Sequence, residues 1–543
     1  MLHNFFKRIK NILKIIIITI LNAYNHYSIE KYIRNEYIFY RKVNSFFCIK
    51  KFFPYLRFDL YWDHLINSIK EYVYIDRERP YSFLMKMIDK EPKVAVTAIE
   101  LLYCTRLLDD YSCKKALAFA TKTPDKVARY WVTQDISRFT FRLQDGFYKD
   151  YYLDRRSLLR QIAKENHFVI PRKKNNESVN KLCIIVPLLS CDKKNSVERF
   201  SSMMANGLIN YFKDIEVICL DIFSPSKAEQ KGITTILPYK AAKSMYSSIR
   251  EHFDNRITIY FPKQENYVTK FNSVLDEIYQ FNPNVIIDTS DEYSVVSYYY
   301  SRDFLTIYNP LRDYVSSSFF SYILGNKFLV SKKSKIYRTV NPEKTIEWIH
   351  PEVIPDTSGF FCRKQFGIKP NDFVMITIGN NETCLKKDFL EQICPLFDSY
   401  SELKWLLIGG NAPKYLKDNY SYLFKTKRII ELGYEKKLYA LCKIGDILLR
   451  PNTTGGAGAM AIAAYSGLGI VMTNKICDAT RWLGTDFSNL NNYYELSNYI
   501  KELIQDRFKL DALREKSKSK VELVIKNKYA WSNLFALIKE VSS

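Results

Sequence analysis

The chain is poor in the residues that build metal and disulfide sites. It has 6 histidines and 11 cysteines among 543 residues, and none of the cysteines form a Cys-x-x-Cys pair. The histidines are not clustered either, so no zinc site is visible. A chain of this length does not need disulfides, and scattered cysteines are typical of proteins from a reducing compartment. We therefore expect no metal and a cytoplasmic location.

Long apolar runs are also lacking. The run from Ile15 to Leu21 is too short to span a bilayer, and no small-residue cleavage site of a secretory signal follows it. Residues 1–60 carry seven lysines and four arginines against three acidic residues. Residues 1–50 are thus a basic, apolar segment, for which two interpretations stay open. The segment lies on the anionic inner face of a membrane, or it forms the first helix of a packed domain.

The formal charge of +23 is a weak argument for nucleic-acid binding. The lysines are spread along the whole chain together with abundant Ile, Asn, Tyr and Phe, and a compositional bias explains this about as well as function does. We expect no nucleic-acid partner.

Glycine is nearly absent between Phe53 and His167, where apolar residues recur three and four positions apart. This spacing predicts helices, for example Val94 to Leu107 and Arg155 to Glu165. We predict an α-helical domain over residues 51–170, followed by a polar linker from Pro171 to Asn180.

Beyond the linker, short apolar runs alternate with helical stretches, which predicts parallel sheets with helices on both faces. The strands predicted for a first unit, residues 181–345, are Leu182 to Pro187, Glu216 to Leu220, Ile257 to Phe261, Val285 to Asp288, Leu305 to Tyr308 and Lys327 to Val330. Those of a second unit, residues 350–525, are Phe373 to Ile378, Leu403 to Ile408, Arg428 to Leu432, Ile447 to Arg450 and Ile470 to Thr473. A helical tail from about Tyr494 includes a C-terminal helix over 526–543. The fold class is thus α/β, with two doubly wound, Rossmann-like units and a ligand cleft between them.

The most informative segment runs from Ile447 to Gly458. An apolar strand leads into a turn rich in Thr and Gly, which opens directly into an Ala-rich helix. Glycines let a backbone approach a ligand closely, and a helix that begins there directs free N–H groups at an anion such as phosphate. Close packing of the helix on the strand is the alternative explanation of the small residues.

The chain resembles glycosyltransferases of the two-Rossmann GT-B fold, most closely bacterial enzymes that assemble surface polysaccharide or modify proteins. Four segments within about 350–525 are similar to the family's nucleotide-sugar domain: Phe366 to Asn380, Leu403 to Gly410, Ile430 to Leu449, and Arg450 to Thr473 with Gly467. The second unit is thereby implied to bind the donor and the first to bind the acceptor.

The resemblance implies a set of donor-binding residues. Backbone amides at Thr454 to Gly456, with a cation, would take the place of a metal at the donor's diphosphate. Tyr434 would stack on the base or merely pack. The implied nucleotide-sugar site comprises Gly379, Asn380, Lys386, Lys387, Tyr434, Arg450, Asn452, Thr453, Thr454, Gly455, Gly456 and Ala457.

An inverting transfer also needs a base for the acceptor hydroxyl. Asp291 or Glu292, after the strand that ends at Asp288, could serve, although capping and first-turn charge of the next helix are the simpler explanation of these residues. We interpret His350 as a structural histidine.

Two departures from the family matter. Retaining members often carry two glutamates eight positions apart, but Thr454 and Ile462 stand at those positions, and no Asp-x-Asp motif is convincing. We expect a metal-independent transfer to a glycan, lipid-linked or protein acceptor with no cofactor beyond the nucleotide sugar. The alternative is a non-catalytic GT-B subunit that binds an acceptor or stabilises a partner transferase.

Overall fold

A computed structural model describes residues 77–542, with gaps at 91, 106, 127, 131, 134–148, 167, 169, 171–179, 191–195, 224–246, 263–266, 290–294, 310–318, 326–341, 353–354, 454, 476 and 485. The basic segment 1–50 and most of the linker lie outside the described residues. Among the described helices, none combines the length and the apolar character needed to cross a bilayer.

The described residues between 77 and 166 are mainly helical. Their helices are α1 (Glu78–Met87), α2 (Pro92–Cys104), α3 (Asp110–Lys122) and α4 (Lys149–Glu165). Asp109 caps α3 by accepting a hydrogen bond from the Ser112 amide at 2.9 Å, and Tyr81 of α1 donates to the same carboxylate at 2.8 Å. This helical region shares one apolar core with the first sheet.

The first sheet has seven parallel strands in the order β3-β2-β1-β4-β5-β6-β7. They are β1 (Lys181–Ser190), β2 (Asp214–Phe223), β3 (Ile257–Tyr260), β4 (Val285–Asp288), β5 (Leu305–Tyr308), β6 (Tyr322–Gly325) and β7 (Thr345–Glu347), and the helices among them are α5 (Ser196–Leu208), α6 (Tyr267–Phe281) and α7 (Ser297–Asp303). Successive side chains of a strand point to opposite faces. Accordingly, Cys183 and Ile185 of β1 pack on the helical region, whereas Leu182 and Ile184 face the opposite core.

The second sheet has five parallel strands in the order β10-β9-β8-β11-β12. They are β8 (Phe373–Gly379), β9 (Leu403–Gly409), β10 (Ile429–Gly433), β11 (Ile447–Leu449) and β12 (Gly469–Val471). Its helices are α8 (Asn381–Cys384), α9 (Lys387–Ile393), α10 (Leu396–Ser399), α11 (Lys414–Asn419), α12 (Ser421–Lys425), α13 (Leu438–Cys442), α14 (Ala457–Tyr465) and α15 (Thr480–Leu483). Both strand orders are those of doubly wound sheets, so the predicted GT-B architecture is confirmed.

The strand predictions differ from the structure mainly at the far edge of the first sheet. The structure has β6 at Tyr322–Gly325 and a three-residue strand β7, neither of which was predicted. The strand predicted at Lys327 to Val330 falls outside the described residues. A three-residue edge strand is too short to show a hydrophobic period, so the sequence alone does not reveal it.

The predicted helical tail consists of three helices, α16 (Tyr493–Gln505), α17 (Arg507–Ile525) and α18 (Ala530–Ser542). α17 belongs to the core of the second sheet, but α18 returns to the first, where Leu534 and Ile538 are fully buried. The Trp348 indole donates a hydrogen bond to the Ala530 carbonyl at 3.0 Å. A Cβ placed on Gly207 of α5 would lie 2.3 Å from the Trp531 ring, so only glycine admits this contact.

Candidate functional site

The strand orders determine where each sheet has its crevice. In the second sheet the order changes direction between β8 and β11, and in the first between β1 and β4. Doubly wound sheets bind ligands at the carboxyl ends of the strands on either side of this switch point. In the second sheet, the loops at these ends begin at Gly379 and at Arg450. Both were predicted to bind the donor.

The Gly-rich loop folds around its own arginine. Arg450 is only 7% exposed, and its guanidinium donates hydrogen bonds to the carbonyl of Thr453 at 3.0 Å and to the carbonyl of Gly455. The same nitrogen lies 3.9 Å from Oδ1 of Asp478. Arg450 therefore holds the loop in shape.

Gly456 allows the loop to turn into α14. Its φ of 103° belongs to the left-handed region that favours glycine, and a Cβ there would lie 2.8 Å from Nη1 of Arg450. Asn452 anchors the loop's start, because its amide donates to the Tyr493 hydroxyl at 3.1 Å and its side-chain oxygen accepts from Thr473. Thr454 lies outside the described residues.

The backbone amide of Ala457, a residue of the predicted nucleotide-sugar site, already binds a side chain of the protein. The Ala457 N–H donates to Oδ2 of Asp478 at 3.1 Å, so a carboxylate sits at the first residue of α14. Oδ1 of Asp478 is buried and has no hydrogen-bond partner among the described residues. The backbone amides of Gly455 and Gly456 donate no hydrogen bond to any residue that the structure describes. They remain the loop donors open to a ligand.

The loop after β8 has a firmly fixed backbone. The Gly410 amide donates to the Gly379 carbonyl at 2.8 Å, and a Cβ on Gly409 would lie 2.3 Å from that oxygen. The Asn381 side chain donates to the Gly410 carbonyl at 2.8 Å. Asn380 is exposed at the tip of this loop.

The remaining predicted donor contacts are exposed side chains. Lys386 occupies the N-cap position of α9, and Lys387 begins that helix with its amino group 3.7 Å from Glu391 and 5.5 Å from the ring centre of Tyr415. Tyr434 follows β10 directly and is 58% exposed. These three residues are accessible to a ligand.

The predicted bases, Asp291 and Glu292, lie outside the described residues. The strand end just before them is tied into the first sheet. Asp288 is buried and accepts a hydrogen bond from the Tyr300 hydroxyl at 2.5 Å, and the Thr289 hydroxyl donates to the Ile185 carbonyl at 2.8 Å. Asp288 itself is therefore a structural carboxylate.

Charged side chains from both sheets meet where the chain passes from one to the other. Glu352 accepts a hydrogen bond from Nη2 of Arg481 at 3.3 Å. A Cβ placed on Gly458 would lie 3.8 Å from Oε2 of Glu352 and 2.4 Å from Nη2 of Arg199, which belongs to α5. Burial raises the pKa of Glu352, although the positive charges of Arg481 and Arg199 act to lower it. We call Arg199, Glu352, Arg481 and Asp478 the junction cluster.

His350 packs beside this cluster as a structural residue. Its ring stacks on Phe200 at a centroid distance of 4.0 Å and contacts Trp348 and Trp531. Nδ1 lies 2.6 Å from the Pro351 carbonyl oxygen. Burial, followed by the charge of Arg481, lowers the pKa of His350 well below its usual value, so the ring is neutral.

Sequence reasoning missed three members of the cluster, Arg199, Glu352 and Arg481. None belongs to a recognisable motif. They come together only because α5 and α15 pack against the segment between the two sheets that carries Glu352. No group of three or more metal-ligating side chains occurs in the described part of the chain.

No protein-family model and no curated protein matches the chain. Solved structures similar to it include HepE of Anabaena in complex with UDP, which is 14% identical and has a TM-score of 0.48 over 66% of this chain and 100% of that one. The O-GlcNAc transferase of Thermobaculum terrenum is 11% identical, with a TM-score of 0.49 over 93% of this chain and 97% of that one. WaaG, a glycosyltransferase involved in lipopolysaccharide biosynthesis, is 10% identical, with a TM-score of 0.42 over 66% of this chain and 98% of that one. All three are similar to this chain over nearly their whole length.

Proposed function

We propose that this protein is a glycosyltransferase that moves a sugar from a nucleotide donor to a glycan, lipid-linked or protein acceptor. The observation that supports it most strongly is the position of the Gly-rich loop. It follows β11, directly at the switch point of the second sheet, where doubly wound folds bind nucleotides. The four sequence segments that resemble GT-B donor domains belong to this same sheet and its loops.

The donor's diphosphate would bind to the amides of Gly455 and Gly456, with Lys386 and Lys387 as exposed cations from the neighbouring loop. When the nucleoside diphosphate leaves, negative charge develops on its terminal phosphate, and fixed amides and cations stabilise that charge. Asp478 would bind the sugar, because its Oδ1 accepts no hydrogen bond from the described residues and sugar hydroxyls donate them. The exposed Tyr434 would lie against the base.

The acceptor would bind to the first sheet. Asp291 or Glu292, which follow β4 at the switch point of that sheet, are our candidates for the base that takes the proton of the acceptor hydroxyl.

Two finer points belong to the same proposal. The reaction would proceed without a metal, since amides and cations supply the charge stabilisation at the diphosphate. The basic, apolar residues 1–50 would hold the protein at the inner face of a membrane that contains anionic lipids, with the remainder in the cytoplasm.

The first test is calorimetric titration with UDP, GDP, ADP and their sugar conjugates in the presence of EDTA. Binding followed by hydrolysis or transfer of the sugar supports a metal-independent enzyme. Binding without any turnover, even with cell-derived acceptors, would favour the non-catalytic subunit instead. Silence towards the whole panel would overturn the assignment of the donor site.

A matched pair of variants tests the loop itself. Gly456 and Gly467 flank the two ends of α14 with φ values of 103° and 101°, so alanine meets similar backbone strain at both. At Gly456 the new methyl group would also press on Arg450, whereas at Gly467 it meets open space. We expect Gly456→Ala to weaken donor binding about 10-fold or more and Gly467→Ala to leave it unchanged. Equal affinities in the two variants would contradict the role of this loop.

A further inference from the structure

We propose that Arg199 reaches from the first sheet across the junction and binds the donor's diphosphate, and that residue 458 is glycine to make room for it. The inference rests on the proposed function, because it assigns one more contact to the same donor. It makes the donor site a product of both sheets, since Arg199 belongs to α5 and Gly458 to α14.

The geometry of Gly458 gives the first argument. Its backbone conformation is an ordinary helical one that needs no glycine. What excludes a side chain there is the guanidinium of Arg199, which would lie 2.4 Å from a Cβ. The small residue thus serves to bring a cation from the first sheet against the beginning of α14, one turn from the open amides of Gly455 and Gly456.

The charges of the region give the second argument. Arg450 is committed to the loop carbonyls and lies near Asp478, and Arg481 is hydrogen-bonded to Glu352. Arg199 makes no side-chain hydrogen bond or ion pair within 4 Å to any residue that the structure describes. Among the described residues, Arg199 thus differs from Arg450 and Arg481, each of which has at least one guanidinium nitrogen in a hydrogen bond.

Among the described residues, the junction has fewer carboxyl groups than guanidinium groups. The guanidinium groups of Arg199, Arg450 and Arg481 lie near two described carboxyl groups, those of Glu352 and Asp478. Burial raises the pKa of Glu352, which reduces its ability to balance the arginines. An anion at this place would restore the balance, and the diphosphate carries about two charges. A guanidinium suits it because the planar fork binds phosphate oxygens in pairs.

The experiment compares a nucleoside diphosphate with its uncharged nucleoside. UDP, GDP and ADP are titrated against the full-length wild-type protein. The diphosphate that binds most tightly is then compared with its own nucleoside (uridine, guanosine or adenosine), whose weak binding is measured by NMR. Arg199→Gln should weaken the diphosphate about 10-fold or more and leave the nucleoside unchanged. Arg302→Gln, the same charge change at an exposed arginine of α7, should alter neither.

Gly458→Ala provides a second, independent test. The new methyl group would press on the flexible end of Arg199 and lie at an ordinary contact distance from Glu352, and alanine has the higher helix propensity, so the fold should be retained. Thermal unfolding checks this directly. We expect the variant to weaken the diphosphate as Arg199→Gln does. The double variant should bind no more weakly than Arg199→Gln alone, because both changes remove one contact.

Three outcomes overturn the inference. Unchanged diphosphate binding by Arg199→Gln would remove Arg199 from the site and leave the proposed function intact. An equal loss for diphosphate and nucleoside would show that Arg199 only supports the fold. If the wild-type protein bound none of the three diphosphates, the proposed function would fail, and the role of Arg199 with it.

Discussion

At the scale of single residues, two buried carboxyl groups, Asp446 and Glu216, differ in how far their oxygens are hydrogen-bonded. Asp446 lies beneath the second sheet and is fully satisfied, by the Val374 amide at 2.7 Å, Arg363 at 2.9 Å and Arg514 at 2.6 Å. Glu216 of β2 is buried in the first sheet, and its Oε2 has no hydrogen-bond partner among the described residues. The first carboxylate stabilises the fold, whereas the second makes stability depend on pH.

Glu216 should make the first sheet less stable in alkaline solution. Burial, together with the nearby Glu277, raises its pKa from 4.5 to about 9. Between these values the folded protein keeps a proton that the unfolded chain has lost, so the free energy of unfolding falls as the pH rises. Glu216→Gln should flatten this dependence and add about 2 kcal/mol of stability near pH 8, measured by urea unfolding across a pH series. Exposed Glu347→Gln is the control, and an equally steep pH profile in both variants would contradict the prediction.

Removal of the Asp446 carboxylate should lower the free energy of unfolding more than removal of an exposed carboxylate. Replacing Asp446 with alanine leaves Arg363 and Arg514 without their shared partner, and breaking a buried ion pair in this way typically costs about 3–5 kcal/mol. Asp511 also contacts Arg514, at 3.3 Å, but it is exposed. Urea unfolding should therefore show a large loss for Asp446→Ala and a change within about 0.5 kcal/mol for Asp511→Ala. Similar losses for the two variants would show that the ion pairs of Asp446 with Arg363 and Arg514 contribute little to stability.

At the scale of elements, all strands but β6 and β7 were predictable because both sheets are parallel and covered on both faces. Such strands are nearly continuous apolar runs, as in β8 and β9, and the runs stand out between polar turns. The Gly-rich loop was predictable for the same reason, since its strand, turn and helix are adjacent in the chain. The junction cluster was not, because Arg199, Glu352 and Arg481 are far apart in sequence and only the packing of three elements joins them.

Helix α18 should stabilise the sheet that it returns to. Leu534 is fully buried against the first sheet, whereas Leu523 of α17 is 70% exposed. Leu534→Ala should lower the free energy of unfolding by about 2–5 kcal/mol, since it removes buried methyl groups and leaves a cavity. Leu523→Ala is the matched control, with an expected change within about 0.5 kcal/mol. Chemical denaturation measures both, and a small loss at Leu534 would mean that α18 is only loosely docked.

At the scale of the whole molecule, the formal charge of +23 complicates any test with anionic ligands. A nucleotide that binds the junction should stabilise the folded protein by about 2.7 kcal/mol at a hundred times its Kd. The effect should persist in added salt, because a site made of fixed amides is screened less than surface charge. Thermal unfolding with UDP, and with inorganic pyrophosphate as the control, separates specific binding at the junction from general attraction of anions. Equal shifts that vanish in salt would indicate general attraction of anions.

The return of α18 also has a consequence for biosynthesis. The strands of the first sheet leave the ribosome early, but two of the side chains that complete its hydrophobic core, Leu534 and Ile538, are translated some two hundred residues after its last strand. Until then, the surface of α5 that receives Trp531 is uncovered. The nascent chain must therefore emerge as far as Ile538 before its earlier sheet can close, and a product truncated before α18 would expose an adhesive surface to chaperones and proteases.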